Sequence, residues 1–172
     1  VTISGGAFGA MNFFASGTNY IGGNYIEVPT STAVACAGIN MQPSAEAVGA
    51  WSANDTIFHN TIVFGAGAMC TADTAGVSFE PSVVSFTRAD LTLNATYNLI
   101  DNESTLSSNI GAINILTSSA TSNLDITADY NGAYRFGFVA RKKVDLVSTN
   151  LTNTHDISSN PYLRTANSDN SD

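Results

Sequence analysis

Apolar and polar residues alternate with a period of two through most of this chain. The clearest run is Leu124 to Val147. Leu124, Ile126 and Ala128 alternate with Asp125, Thr127 and Asp129. Asn131-Gly132 interrupts the run. Tyr134, Phe136, Phe138 and Ala140 then alternate with Arg135, Gly137, Val139 and Arg141. A period of two is a strand pattern, and Asn-Gly between two such runs is a strong short-range hairpin signal. The pattern predicts an antiparallel hairpin with one buried and one solvated face, so a second apolar sheet must cover Tyr134, Phe136 and Phe138.

Other segments read the same way. Val1, Ile3, Ala7, Met11 and Phe13 share one parity, with Gly5 and Gly9 between them. An apolar N-terminal strand of this kind suits either an internal strand or an arm added to the sheet edge of a neighbouring subunit. Asp55 to Phe64, Leu91 to Ile100 and Ile110 to Leu116 are further strands, and Gly76 to Phe86 is two short ones split by Pro81. Pro43-Ser44 before an alanine-rich stretch predicts a short helix ending near Trp51. Ser148 to Asp172 is polar.

Many short strands with frequent turn signals predict an all-β, single-domain antiparallel β-sandwich or jelly roll. Three parts are expected: an N-terminal strand or arm over 1–28, a sandwich core over 29–150 and a polar tail over 151–172. The segment Asp129 to Tyr134 resembles the tyrosine corner of immunoglobulin-like sandwiches, although Phe136 stands where those domains carry a cysteine. The alternative is a right-handed parallel β-helix. His59 to Val63, Tyr97 to Ile100 and Ile157 to Leu163 read as its rungs. Against it, Asn114 follows Asn98 at less than half the interval between Asn60 and Asn98, and equal coils need a steadier period.

Composition narrows the function classes. Of 172 residues 44% are hydrophobic, enough for a sizeable core, while only 12% are charged. A surface of hydroxyls and amides fits an extracellular, cell-surface or virion protein. A net charge of −8 with six basic residues argues against nucleic acid. No apolar run reaches the length of a membrane span. Cys36 and Cys70 predict one disulfide, worth roughly 3–4 kcal/mol, with two buried thiols as the competing reading. Sequons stand at Asn54, Asn94, Asn102 and Asn150.

Candidate chemistry is sparse. His59 lies within an apolar strand and reads as structural, and His155 beside Asp156 reads as solvated. Asp125, Asp129 and the pair Asp101 and Glu103 are the carboxylates available for glycoside hydrolysis. Asn98, Asp101 and Glu103 form an oxygen-rich set without the order of a calcium loop. Arg141-Lys142-Lys143 reads as a solvated strand end or a contact to an acidic neighbour. No catalytic residue, metal site or cofactor is expected. The leading expectation is a self-assembling structural subunit of a filament, pilus or virion surface, with Val1, Ile3, Ala7, Met11 and Phe13 as subunit contacts and other copies of the chain as partners. The alternative is a secreted carbohydrate-binding module using Tyr20, Tyr25, Trp51 and Tyr162. A polysaccharide-acting β-helix enzyme ranks third.

Overall fold

The structure, a computed structural model, describes residues 2–3, 9–13, 16–31, 35–41, 49–68, 73–79, 86–103, 108–117, 123–144 and 147–158. They form fifteen strands and no helix. In order these are β1 (Thr2–Ile3), β2 (Gly9–Phe13), β3 (Gly17–Gly22), β4 (Tyr25–Ser31), β5 (Ala35–Met41), β6 (Gly49–Phe58), β7 (Thr61–Ala68) and β8 (Asp73–Phe79). The rest are β9 (Phe86–Thr96), β10 (Leu99–Asn102), β11 (Ser108–Thr117), β12 (Leu124–Asp129), β13 (Gly132–Tyr134), β14 (Phe136–Val144) and β15 (Val147–Asn150).

Up to β14, every third strand joins the same sheet, and β15 is added to sheet B beside β14. Sheet A has the order β1-β4-β7-β10-β13, sheet B β15-β14-β11-β8-β5-β2, and sheet C β12-β9-β6-β3. All pairings are parallel except β14 with β15. The chain therefore winds as a three-sided coil, a parallel β-helix. This overturns the antiparallel sandwich or jelly roll. The expected hairpin is the sharpest correction: its strands β12, β13 and β14 lie in sheets C, A and B. Alternation reports a strand and its buried face but not the direction of its neighbour. Asn131-Gly132 turns the chain between sheets rather than back along one, so the likeness to a tyrosine corner has no counterpart in the fold.

The register stacks like on like. Ile21, Ile57, Ala95 and Ala128 align across sheet C. Ile26, Ile62, Ile100 and Ala133 align across sheet A, and Ile39, Val77, Ile113 and Ala140 across sheet B. All twelve are buried in one core, where each larger aliphatic contributes about 1.5–3 kcal/mol. Phe136 and Phe138 are only half-buried, and Val139 and Ala140 take the core positions expected of them.

The expected N-terminal arm forms strands of its own chain's first coil. β1 pairs with β4 and β2 with β5, so Ile3, Met11 and Phe13 lie in intrachain strands, while Val1 and Ala7 lie outside the described residues. Most of the expected helix also lies outside them, and its end at Trp51 is part of β6. Of the polar tail, Leu151 to Ile157 closes the last coil. The Leu151 amide donates to Ala140 O, Asn153 Nδ2 to Ala128 O at 2.6 Å, and Ile157 bridges Gly132.

Candidate functional site

One corner of the coil repeats in each turn, where sheet C hands the chain to sheet A. Its residues are Gly23-Asn24, His59-Asn60, Tyr97-Asn98, Tyr130-Asn131 and His155-Asp156. In the first four pairs the first member adopts the left-handed region, with φ of 69° at Gly23, 51° at His59, 56° at Tyr97 and 57° at Tyr130. That conformation costs a residue with a Cβ about 1–2 kcal/mol. It points the first side chain out and the second in.

The inward side chains form a ladder. Asn24 Nδ2 donates to Asn60 Oδ1 at 2.9 Å, Asn60 Nδ2 to Asn98 Oδ1 at 3.0 Å, and Asn98 Nδ2 to Asn131 Oδ1 at 3.0 Å. The backbone N–H groups of Asn24, Asn60 and Asn98 donate to the same oxygens. Asn60, Asn98 and Asn131 also donate to Ile21 O, Ile57 O and Ala95 O. Each buried amide thus meets its requirements in an apolar interior. The ladder has a direction, and it stops at Asp156, whose carboxylate accepts from the Asn131 N–H at 2.8 Å but has no amide to donate onward.

The outward side chains form a ring column. His59 and Tyr97 lie 5.4 Å apart by ring centroid, Tyr97 and Tyr130 5.1 Å, and Tyr130 and His155 4.5 Å. Tyr97, Tyr130 and His155 stack face to face, with interplanar angles of 13° and 3°, while His59 is tilted by 50° to Tyr97. At its end, Asp129 Oδ1 accepts from His155 Nδ1 at 3.0 Å. Phe58 meets the other end, edge to face with His59.

Phe58 differs from the stacked rings. It lies over Gly22 of the preceding coil, where a Cβ would come within 2.5 Å of its ring. Its opposite face is therefore turned outward. Tyr20, 72% exposed, stands beside it. Tyr20, Thr56, Phe58, His59, Thr96 and Tyr97 line one depression of about 380 Å³. Beyond it, the outer face of sheet C carries polar rows in register. One is Thr18, Asn54, Thr92 and Asp125, and another continues from Tyr20 through Thr56 and Asn94 to Thr127.

The other expected site residues scatter. Of the proposed glycan-stacking aromatics, Tyr20 and Tyr25 are exposed, but Trp51 is 6% exposed and stacks on Phe79 inside the coil. Tyr162 lies outside the described residues. Phe58 and Tyr97 were not expected at a surface site, and His59 is exposed at the corner rather than enclosed in a strand. Asn54, Asn94 and Asn150 are exposed, whereas Asn102 is fully buried and closed to a glycan in the folded chain. Cys36 is buried, and Cys70 lies outside the described residues, as does the expected bridge.

The charged candidates take separate places. Asp125 and Asp129 face outward on β12, and Asp129 is held by His155. Asp101 is buried on β10 with Oδ1 lacking a hydrogen-bond partner. Burial and then the charge of Glu103 push its carboxyl above the usual range, and Arg135 opposes this. Asn98, committed to the ladder, does not join Asp101 and Glu103 in one oxygen set. Arg141 Nε donates to Asn114 Oδ1 and Lys142 Nζ to Leu124 O, so two of the three basic residues are engaged within the chain. No helix among the described residues is long and apolar enough to cross a membrane. Comparison with models of known families, with curated proteins and with solved structures finds no match.

Proposed function

We propose that this protein is an extracellular or cell-surface glycan-binding module, with its site on the outer face of sheet C. The carrying observation is the depression framed by Tyr20 and the outward face of Phe58. Sugar rings present apolar C–H faces that stack on aromatic faces, and their hydroxyls need fixed polar partners. Thr56 and Thr96 supply such partners within the depression. A glycan array probed with the whole chain and with Phe58→Ala tests the proposal. Selective binding lost in the variant is expected. No binding to any glycan contradicts it.

Self-assembly into a filament or virion surface is the second reading. It draws on β3, whose outer edge pairs with no strand among the described residues. At the opposite end β12 likewise has no strand on its outer side among the described residues, while β15 covers β14 and Asp156 ends the asparagine ladder. Size-exclusion chromatography separates the readings, since polymers support assembly and a monomer supports the glycan module.

A further inference from the structure

Building on the glycan-binding reading, we infer that the ligand is a neutral, extended polysaccharide that lies across the strands of sheet C, parallel to the coil axis. Beyond the aromatic depression, the row Thr56, Asn94 and Thr127 runs in this direction, with Asn54 and Thr92 beside it. Neighbouring strands lie about 4.8 Å apart, so four strands present a track of roughly 14 Å. Thr hydroxyls and Asn amides both donate and accept, which is what unionised sugar hydroxyls require. Their positions are fixed by a continuous ladder, so a straight chain docks without ordering the protein.

Charge selects the ligand class. On β3, β6 and β12, and on β9 from Asp90 onward, no lysine or arginine faces outward. The ionisable groups at the far end of the track are Asp125 and Asp129. Along these stretches a carboxylated or sulfated chain therefore meets no lysine or arginine of the four strands, and at the far end it meets Asp125 and Asp129, so little offsets the cost of desolvating its anions. The cationic groups near that end are already engaged, His155 with Asp129 and Lys142 with Leu124 O. Tyr20 and Phe58 mark one end of the track and the carboxylates the other.

The test is co-sedimentation of the whole chain with cellulose, xylan and curdlan, and with calcium gels of polygalacturonate and alginate. Retention on at least one neutral polymer and on neither acidic one is expected. The Asn94→Ala/Thr127→Ala variant, checked for native circular dichroism, should bind that polymer at least tenfold more weakly. Asp125→Lys/Thr127→Lys should gain retention on polygalacturonate. Acidic polymers retained as well as neutral ones by the parent chain overturn the inference and leave the glycan-binding reading standing. Unchanged binding by Asn94→Ala/Thr127→Ala overturns the assigned track. Retention on no polymer removes both.

Discussion

Asn60 and Asn98 are 38 residues apart in sequence, yet the Asn60 side-chain amide donates to Asn98 Oδ1 at 3.0 Å inside the coil. The same relation joins Asn24 to Asn60 and Asn98 to Asn131. This ladder fixes where each turn starts, and so brings residues from successive turns onto one flat outer face.

Asn98→Ala should destabilise the protein by about 3–5 kcal/mol. It removes the shared acceptor of the Asn60 backbone N–H and of one Asn60 amide hydrogen, and the side-chain donor to Ile57 O, while Asn131 Oδ1 keeps the Asn98 backbone N–H. Each lost partner in the apolar interior costs about 1–3 kcal/mol with partial relaxation. Urea unfolding measures this. A loss below about 1 kcal/mol contradicts the role given to the ladder.

Tyr97 sits at φ 56°, where only glycine is unstrained. Tyr97→Gly gives up ring stacking of about 0.5–1.5 kcal/mol per pair but relieves about 1–2 kcal/mol of backbone strain. Tyr97→Ala gives up the stacking and keeps the strain. Glycine should therefore be the more stable variant by about 1 kcal/mol. Thermal unfolding of the two variants decides it, and alanine ranking above glycine is the opposing result.

Much of the fold was legible locally, and little of it globally. Alternation located the strands at Leu91 to Thr96 and Leu124 to Asp129 because the buried face is a property of one segment, but the expected single strand Leu91 to Ile100 is two, β9 in sheet C and β10 in sheet A, with the corner Tyr97-Asn98 between them. The direction of a neighbour is not. Tyr130-Asn131-Gly132 carries a hairpin signal and a coil-corner signal in the same residues, and only its alignment with His59-Asn60 and Tyr97-Asn98 separates them. The aligned pairs were in the sequence as an aromatic or histidine before each asparagine. Unequal coils hid them, at intervals of 36, 38 and 33 residues, and Asn114, which bonds Arg141 instead, offered a false register. The site was half legible. Tyr20 reads as exposed, whereas nothing in the run Asp55 to Phe64 singles out Phe58, because alternation says nothing of the glycine that lies beside it in the preceding coil.

Asp55 should make the protein more stable in mild acid. It faces the coil interior with Asn19 Nδ2 donating to it at 2.8 Å, and burial pushes its carboxyl up more than that bond lowers it. Asp101 shifts the same way. In both cases the folded state holds a proton that the unfolded state has released. Stability therefore falls as pH rises from about 3.8 through the raised folded values. Asp55→Asn keeps the bond to Asn19 and removes the ionisation, so the fall should shrink. Unfolding midpoints across pH 4 to 7 check this, and a parent chain whose stability rises over that range contradicts it.

Whether sheet C binds a neutral glycan is decided by a backbone amide NMR titration of the whole chain with cellohexaose, xylohexaose and laminarihexaose. At least one of them should shift a contiguous set of resonances, from Tyr20, Thr56 and Phe58 through Thr96 and Tyr97 to Asn94 and Thr127. Sheets A and B should stay unchanged. Shifts centred on sheet A, or none with any of the three sugars, would contradict it.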